Sequence, residues 1–330
     1  MDELLRLLSG AEHVSGEALC KQLGMTRAAV WKRMEKLRAE GYDIRSAGKL
    51  GYRLYPVENS LLPGYVAADL RTRWAGRGQI DYAAEMDSTN AHARRMAREG
   101  APNGSLALCN SQTAGRGRLG RAWQTPPGEA LTLSMVIRPK LPTQLAQLCT
   151  FAAAVAVCEA VEGLYGLQAQ IKWPNDVVLG GRKLAGILSE MYADADGLAY
   201  VVPGVGVNVR QQAFAGELAD KATSLLLELR KHNPHAPPLC RRQLLTAFLS
   251  RMEHAVDALE RDGYEGIREA YEARTATLGR DVHVVSVTES YTARALRVDE
   301  TGALIVRDER GNERRVLSGD VSVRGLMGYV

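Results

Sequence analysis

The sequence has few of the features that mark secreted, metal-binding or membrane-spanning proteins. Its five cysteines among 330 residues are scattered, odd in number and never spaced as C-x-x-C. This pattern disfavours disulfide frameworks and zinc sites and favours a reducing compartment. The longest apolar run, 151–158, is too short to cross a bilayer, and no basic region near the N-terminus leads into an apolar stretch. We therefore expect a cytoplasmic protein with no secretory signal and no membrane partner.

The signatures of several enzyme classes are also missing. The sequence contains no G-x-x-x-x-G-K-[ST], no nucleophile elbow and no H-E-x-x-H, and its six histidines show no metal-ligand spacing. P-loop NTPases, α/β-hydrolases and zinc proteases are thereby disfavoured. What remains is an ordinary globular composition, with 46% hydrophobic and 24% charged residues and a net charge of +4. At about 150 residues per domain, the length predicts two or three domains.

The first sixty residues predict a helix-turn-helix. Ser15 opens one helix, Gly24 interrupts it, and Thr26 caps a second helix that ends near residue 40. The apolar stripe of this second helix, with spacings of 4 and 3, consists of Val30, Met34 and Leu37. In a helix-turn-helix the second helix enters the major groove of DNA. The residues expected to contact operator DNA are Thr26, Arg27, Lys32, Arg33 and Lys36.

Two short strands are expected after this helix, at 42–46 and 52–55, around a turn at Gly48 and Gly51, and they would form a wing. The alternative is that the basic helix face is only solvated surface, since residues 1–57 hold ten Lys and Arg against seven Asp and Glu. The glycine turn, the basic helix and the wing together favour a winged helix-turn-helix.

The rest of the chain predicts an α+β organisation. A boundary is expected at 56–64, where two prolines and a glycine bracket a segment without periodicity. Helices and strands follow, and several of the strands are joined by tight turns. This pattern favours helices covering a largely antiparallel sheet. From about residue 277, five or so short strands predict a small SH3-like β-barrel. The predicted domains are the winged helix-turn-helix at 1–57, a central mixed α/β domain at 65–274 and the barrel at 277–330.

A glycine- and arginine-rich run at 115–120 satisfies G-x-G-x-x-G. The dinucleotide fingerprint must open a helix, whereas this run continues into R-A-W-Q-T-P-P, which cannot be helical. The run instead offers backbone N–H groups and Arg116, Arg118 and Arg121 for phosphate or carboxylate binding, with a solvated basic loop as the alternative. Trp123 offers a flat face for a purine, with a core aromatic as the alternative.

Polar side chains are also expected at the ends of several strands. Pro174 cannot donate to a sheet ladder, so it ends a strand and places Asn175 and Asp176 on the following turn. Together with Lys172 they can serve a phosphate chain and its Mg²⁺, with Asp176 as the metal ligand. Two further groups could converge on the same place: Lys183, which opens a later strand and could also be an exposed solubilising lysine, and Asn208, which ends another.

Five motifs occur in the order found in biotin–protein ligases. They are D-S-T-N at 87–90, Q-T-A-G-R-G-R-L-G-R-A-W at 112–123, K-W-P-N-D at 172–176, R-K-L-A-G-I-L at 182–188 and G-V-G-V-N at 204–208. With G-M-T-R-A-A at 24–29, the likeness covers nearly the whole chain and resembles the bifunctional form of the family, a biotin–[biotin carboxyl carrier] ligase that is also a biotin-operon repressor. The departures within the loop, Thr113 and Leu119, are mild and put no role in doubt.

This resemblance implies a central domain of the biotin/lipoyl ligase kind and an AMP-forming reaction. Biotin and ATP with Mg²⁺ would be substrates, giving biotinyl-5′-adenylate and pyrophosphate, and no tightly bound prosthetic group is implied. A lysine of the biotin carboxyl carrier protein of acetyl-CoA carboxylase would then take the biotin. The adenylate-bound form would bind operator DNA as a homodimer and repress biotin biosynthesis genes.

The resemblance also implies roles for individual residues. The biotin site would comprise Ser88, Thr89, Asn90, Gln112, Arg116, Gly117, Arg118 and Lys183. The nucleotide site would comprise Arg121, Trp123, Lys172, Asn175, Asp176 and Asn208. The groups that stabilise developing charge would be Lys183, Arg118 and Lys172.

Two alternatives remain open. A winged-helix repressor could sense biotin or its adenylate without catalysis, but it would not need the phosphate-handling Lys172 and Lys183. A ligase for a related cofactor such as lipoate is excluded only through the resemblance.

Overall fold

A computed structural model of the chain describes residues 2–10, 12–123, 126–236, 239–285 and 289–317, and the backbone of 322–325. The chain divides into two compact units, Met1–Arg71 and Thr72–Val330. The predicted domain boundaries near residues 57, 65, 274 and 277 remain a prediction.

The N-terminal unit is a bundle of short helices with a two-stranded antiparallel hairpin. Its elements are α1 (Glu3–Leu8), α2 (Gly16–Leu23), α3 (Arg27–Ala39), β1 (Asp43–Ser46), β2 (Tyr52–Tyr55) and α4 (Pro63–Asp69). These bounds confirm the predicted helix-turn-helix and the two strands after it. Helix α4 was not predicted.

The start and end of the two central helices follow from their capping residues. Ser15 Oγ accepts the Ala18 N–H before α2, and Thr26 Oγ1 accepts the Ala29 N–H before α3. Gly24 ends α2 with φ +62°, a left-handed conformation that glycine adopts without steric cost. The predicted apolar stripe of α3 is confirmed, because its three residues are buried in the core of this unit, together with Leu4, Leu8, Leu19, Ile44 and Leu54.

The larger unit is built on a seven-stranded sheet with helices packed on it. Its elements are β3 (Ile80–Met86), α5 (Thr89–Arg98), β4 (Leu106–Gln112), β5 (Ala130–Met135), α6 (Leu148–Tyr165), β6 (Gln170–Lys172), β7 (Asp176–Leu179), β8 (Arg182–Asp194), β9 (Gly197–Asn208), α7 (Leu225–His232), α8 (Arg241–Asp262) and α9 (Glu265–Glu272). The strand order is β3-β4-β5-β9-β8-β7-β6. Only the β3–β4 pair is parallel, which confirms the predicted largely antiparallel sheet.

Some elements of this unit differ from the sequence expectation. Strand β3 and helices α7 and α9 were not predicted, whereas β9 ends at Asn208 as predicted. The segment Thr143–Tyr165 is long and apolar enough to cross a membrane, but 78% of its most apolar window is buried, as in a core helix.

A five-stranded antiparallel sheet forms the C-terminal part of the larger unit. Its strands are β10 (Asp281–Val285), β11 (Ser290–Val298), β12 (Leu304–Asp308), β13 (Glu313–Val316) and β14 (Ser322–Gly325), in the order β13-β12-β11-β10-β14. The predicted group of five short strands is thereby confirmed.

Candidate active site

A cavity of about 800 Å³ opens where several strands of the seven-stranded sheet end. All fourteen residues that the sequence assigned to biotin, nucleotide or catalysis line it: Ser88, Thr89, Asn90, Gln112, Arg116, Gly117, Arg118, Arg121, Trp123, Lys172, Asn175, Asp176, Lys183 and Asn208. They come from segments up to 120 positions apart in the chain. The fold therefore brings the five motifs to one place, whereas the role of each residue stays a prediction.

One end of the cavity is a network of hydroxyl and amide groups at the start of α5. Gln112 Oε1 accepts from the N–H of Thr89 at 2.8 Å and from its Oγ1 at 3.1 Å. Ser134 Oγ lies 2.8 Å from Thr89 Oγ1 and 2.6 Å from Asn90 Oδ1. Asn90 Nδ2 donates to Leu188 O and to Glu190 Oε2. These bonds fix the side chains before any ligand arrives.

Ser134 and Glu190 were missed by the sequence analysis. Each lies on a strand, in β5 and β8, and reaches the network only through strand pairing. Ser88 caps α5, accepting the Ala91 N–H at 3.4 Å. No local signal distinguished the two missed residues from ordinary polar strand residues.

Glycines form the floor of the cavity. Gly186 of β8 and Gly206 of β9 are register partners, and the Trp123 ring lies against both, so a Cβ on Gly206 would overlap it. A Cβ on Gly204 would overlap Asn90 Oδ1. Trp123 is half-buried, and its Nε1 has no hydrogen-bond partner within the described part of the chain.

The predicted binding loop, 115–123, folds back on itself. Gly117 N–H donates to Arg121 O at 2.7 Å, and Trp123 N–H donates to Gly115 O at 2.9 Å. Between them the chain makes a single 3₁₀ turn, so the G-x-G-x-x-G run opens no α-helix and the rejection of a dinucleotide fingerprint is confirmed. Arg116 and Arg121 are exposed to solvent.

Arg118 differs from the other two arginines of the loop. It is half-buried and donates from Nη1 to Asn175 Oδ1 at 3.0 Å. Burial lowers the pKa of its guanidinium, while the charge of Asp176 opposes that shift. The group stays charged at any ordinary pH, and its incomplete solvation favours a bound anion.

The other end of the cavity carries two lysines and a carboxylate. Lys172 is buried, with 8% of its surface exposed. Lys183 Nζ lies 2.6 Å from Asp176 Oδ1 and 5.6 Å from the centroid of the Trp123 ring. The Lys183 side chain is 24% exposed, so the alternative of an exposed solubilising lysine is wrong. This end can neutralise the negative charge of a phosphate chain.

Asn208, the last residue of β9, forms hydrogen bonds with the segment that follows the strand and runs to Thr223. Its Nδ2 donates to Thr223 O, and its Oδ1 accepts from Gln211 Nε2. The segment between them contributes cavity residues that the sequence analysis missed: Phe214, Glu217, Leu218, Asp220 and Lys221. They follow no motif and carry no strand or long-helix periodicity, which left no signal for them.

The predicted Mg²⁺ ligand, Asp176, is the one acidic residue of the K-W-P-N-D segment. Over the described ranges, no group of three or more His, Cys, Asp or Glu side chains is placed to hold a metal ion. One carboxylate with phosphate oxygens is the usual environment of a nucleotide-bound Mg²⁺. The residues thus fit a metal that arrives with the nucleotide better than a resident one.

The predicted DNA-binding residues differ in their surroundings. Thr26 is occupied as the cap of α3, while Arg27, Lys32 and Lys36 are exposed. Arg33 donates from Nε and Nη2 to Asp2 Oδ2, at 3.2 and 3.0 Å, and its side chain is 37% exposed.

Comparisons with known proteins agree with this architecture. Residues 82–208 match the Biotin/lipoate A/B protein ligase family, residues 1–53 match an HTH domain, and residues 277–324 match the Biotin protein ligase C terminal domain. The fold and the site thus define a protein ligase with a helix-turn-helix domain.

Full-length relatives specify the class further. The chain is 33% identical to the bifunctional ligase/repressor BirA of Bacillus spizizenii over 97% of this chain and 98% of that protein. It is 28% identical to the protein of the same name from Escherichia coli, over 98% and 96% of the two chains. The biotin protein ligase of Aquifex aeolicus, solved with biotin and ATP, superposes with a TM-score of 0.63 at 26% identity, over 75% of this chain and 99% of that one. The chain belongs to the family of bifunctional biotin ligase/repressors.

Proposed function

We propose that this chain condenses biotin with ATP to biotinyl-5′-adenylate and transfers the biotinyl group to a lysine of a biotin carboxyl carrier protein. The observation that carries the proposal is the single cavity, with hydroxyl and amide groups at one end and lysines with a carboxylate at the other. A small polar ring can bind at the first end while a phosphate chain binds at the second.

The amide end suits the ureido ring of biotin. That ring presents two N–H donors and one C=O acceptor, and side-chain hydroxyls and amides both donate and accept. Because Thr89, Asn90 and Gln112 are already held by other protein groups, little side-chain entropy is lost on binding. Arg116 and Arg118 would close over the ligand from the loop.

The first half-reaction takes place at the cationic end. The biotin carboxylate attacks the α-phosphorus, a C–O–P anhydride bond forms, and the bond to the leaving pyrophosphate breaks. Two anions must meet, so positive charge has to neutralise them in the transition state. Lys183, Lys172 and Arg118 line this part of the cavity, and Lys183 is the main candidate.

Mg²⁺ bound to the nucleotide would supply further neutralisation of the phosphates, with Asp176 as its protein ligand and Asn175 beside it. Trp123 would stack on the adenine, and Arg121 and Asn208 would complete the nucleotide side. No tightly bound prosthetic group is needed for this chemistry.

The second half-reaction needs no nucleophile from this chain. The ε-amine of the acceptor lysine attacks the biotinyl carbonyl, an amide bond forms, AMP leaves and the amine loses a proton to solvent. We propose the carrier subunit of acetyl-CoA carboxylase as the acceptor and the cytoplasm as the compartment, where the five free cysteines would stay reduced.

The N-terminal unit would make the chain a repressor as well as a ligase. We propose that the adenylate-bound form dimerises and that two copies of α3 contact an operator of biotin biosynthesis genes, because a single winged helix reads only one half-site. The corresponding domain division is 1–57, 65–274 and 277–330.

The test of the ligase proposal is incubation with biotin and ATP labelled in the α-phosphate. A labelled biotinyl-adenylate and an equal amount of pyrophosphate are expected, and lipoate in place of biotin serves as the control for substrate class. Tight biotin binding without labelled product would favour a sensor without catalytic activity. Labelled product with lipoate alone would favour a lipoate ligase.

A further inference from the structure

Trp173 is a buried residue of the site to which the sequence assigned no role. It lies between Lys172 and Asn175 in the K-W-P-N-D segment and is 1% exposed. Trp173 directly follows Lys172, the last residue of β6, and begins the turn that leads through Asn175 to Asp176 at the start of β7. The placement of Lys172, Asn175 and Asp176 in the cavity therefore depends on where Trp173 is held.

The backbone of this segment is held by the chain that leads into the C-terminal sheet. Strand β6 is the edge of the seven-stranded sheet, and residues 274–277 run beside its open side. Ile171 N–H donates to Arg274 O, and Ala276 N–H donates to Ile171 O, each at 2.7 Å. The N–H of Trp173 donates to Thr277 Oγ1 at 2.9 Å.

The indole of Trp173 reaches further, to the turn between β11 and β12. Its Nε1–H donates to Gly302 O at 3.1 Å, and Gln147 Nε2 donates to the same oxygen at 2.9 Å. Gly302 has φ +91°, and a Cβ there would lie 3.1 Å from Gln147 Nε2 and 3.3 Å from Leu148 Cδ2. The turn therefore approaches the start of α6 as closely as a glycine allows.

Asp299 holds this turn through hydrogen bonds that do not involve Trp173. Its Oδ1 accepts the N–H groups of Thr301 and Ala303, both at 2.9 Å, and its Oδ2 accepts from Arg315 Nε at 2.6 Å. Burial acts to raise the pKa of this carboxyl, but these hydrogen bonds hold it below its ordinary value. The acceptor of the indole is thus fixed by bonds within the C-terminal sheet.

We propose that Trp173 is a positioning residue for the nucleotide half of the cavity, held there by the Gly302 carbonyl and the Thr277 hydroxyl. The C-terminal sheet would then set the position of Lys172, Asn175 and Asp176 without touching the substrates. This inference rests on the proposed adenylation reaction. It assigns the C-terminal sheet an effect on ATP and not on biotin, because Thr89, Asn90 and Gln112 at the biotin end are held by one another and by β5 and β8.

The test uses the full chain with Trp173→Phe, which keeps the aromatic bulk and removes the indole N–H. We expect kcat/KM for ATP to fall about tenfold, because misplaced charge-stabilising groups lose part of their effect. The affinity for biotin in the absence of ATP should stay within about twofold of the wild type. General destabilisation would not separate the two substrates in this way.

Trp74→Phe is the matched control. The Trp74 indole also donates a hydrogen bond, to Asp257 Oδ1 at 3.1 Å, but it lies outside the cavity. This variant should keep wild-type kinetic constants for both substrates. Equal values of kcat/KM for ATP in the two variants would overturn the proposal, as would an equal loss for biotin and ATP in Trp173→Phe.

A second pair of variants tests the same role if Trp173→Phe does not fold. Thr277→Val removes the hydroxyl that accepts the Trp173 N–H, and Thr277→Ser retains it. The valine variant should lower kcat/KM for ATP about threefold to tenfold and the serine variant should restore it. Unchanged kinetics in Thr277→Val would reject the role. A wild type that forms no adenylate would instead reject the proposed function itself.

Discussion

Two parts of the cavity, the wall at the start of α5 and the 115–123 loop, both carry residues that the sequence predicted to bind ligand, but the two parts are held very differently. Thr89, Asn90 and Gln112 are locked into one another and into β5 and β8. The loop is closed by two backbone hydrogen bonds, and its Arg116 and Arg121 extend into solvent. The difference indicates a wall that is ready for its ligand and a loop that gains contacts when the ligand arrives.

The basic residues of α3 also differ in whether they are bonded within the protein or exposed to solvent. The Arg33 guanidinium already has a carboxylate partner in Asp2, whereas Lys32 faces solvent. A DNA phosphate would have to compete with Asp2 for Arg33 and would meet no such competition at Lys32. The effect of a substitution should therefore depend on whether the side chain is already bonded within the protein, and not on residue type alone.

The largest effect is expected for Lys183→Ala. Single-turnover formation of biotinyl-adenylate should fall roughly 10²–10³-fold, the usual cost of removing one charge-stabilising donor. The matched control is Lys231→Ala, since Lys231 also lies 2.6 Å from a mostly buried carboxylate, that of Glu228, but outside the cavity. Adenylation at the wild-type rate in Lys183→Ala, or an equal loss in both variants, would contradict the assignment.

Gly204→Ala should disrupt the preformed wall. The added Cβ overlaps Asn90 Oδ1, and overpacking of this kind costs about 1–3 kcal/mol. If that cost falls on the biotin end, the Kd for biotin rises roughly 5- to 150-fold. Titration calorimetry measures it, and Gly163→Ala, on α6 with open space around the new Cβ, is the control. Unchanged biotin affinity would show that the Asn90 network does not contact the ligand.

The loop should respond to the ligand where the wall does not. We expect amide hydrogen exchange at 115–123 to slow about tenfold when biotinyl-adenylate binds, while β9 changes little, because only the loop gains contacts. Closure would also keep water from the reactive anhydride. Equal exchange of the loop in the free and bound protein would remove the distinction between the wall and the loop.

The smallest effect concerns operator binding. Lys32→Ala should reduce the slope of log affinity against log salt by about one unit, as expected for one lost phosphate contact. Arg33→Ala should reduce it less, because its guanidinium is engaged by Asp2. Adenylate formation should persist in both variants. A larger reduction for Arg33 than for Lys32 would mean that DNA displaces Asp2.

Local chemistry explains why much of the fold could be predicted. A hydroxyl cap, a left-handed glycine and an apolar stripe define α2 and α3 within a few residues. The roles of Ser15, Gly24 and Thr26 at the helix ends could therefore be predicted without any tertiary contact. The alternation of apolar and polar side chains likewise made most strands predictable.

Site membership was predictable only where residues sit in contiguous motifs. Those motifs contain every residue that was predicted for biotin, nucleotide or catalysis, and all of them line the cavity. The contacts that hold the site were not predictable, because Ser134 reaches Asn90 across 44 positions and Trp173 reaches Gly302 across 129. Phe214 and Leu218 line the cavity from a segment that carries no pattern.

The amino-acid sequence by itself determined the order of the domains, the caps of the N-terminal helices and the set of charged and amide groups available for catalysis, because these depend on neighbours within a few residues. Tertiary structure alone decided which of those groups are engaged: Arg33 by Asp2, Lys183 by Asp176, and Asn90 by Ser134 and Glu190. Hydrogen bonds and ion pairs act over about 3 Å, and only the packing of helices and strands against one another brings such partners that close.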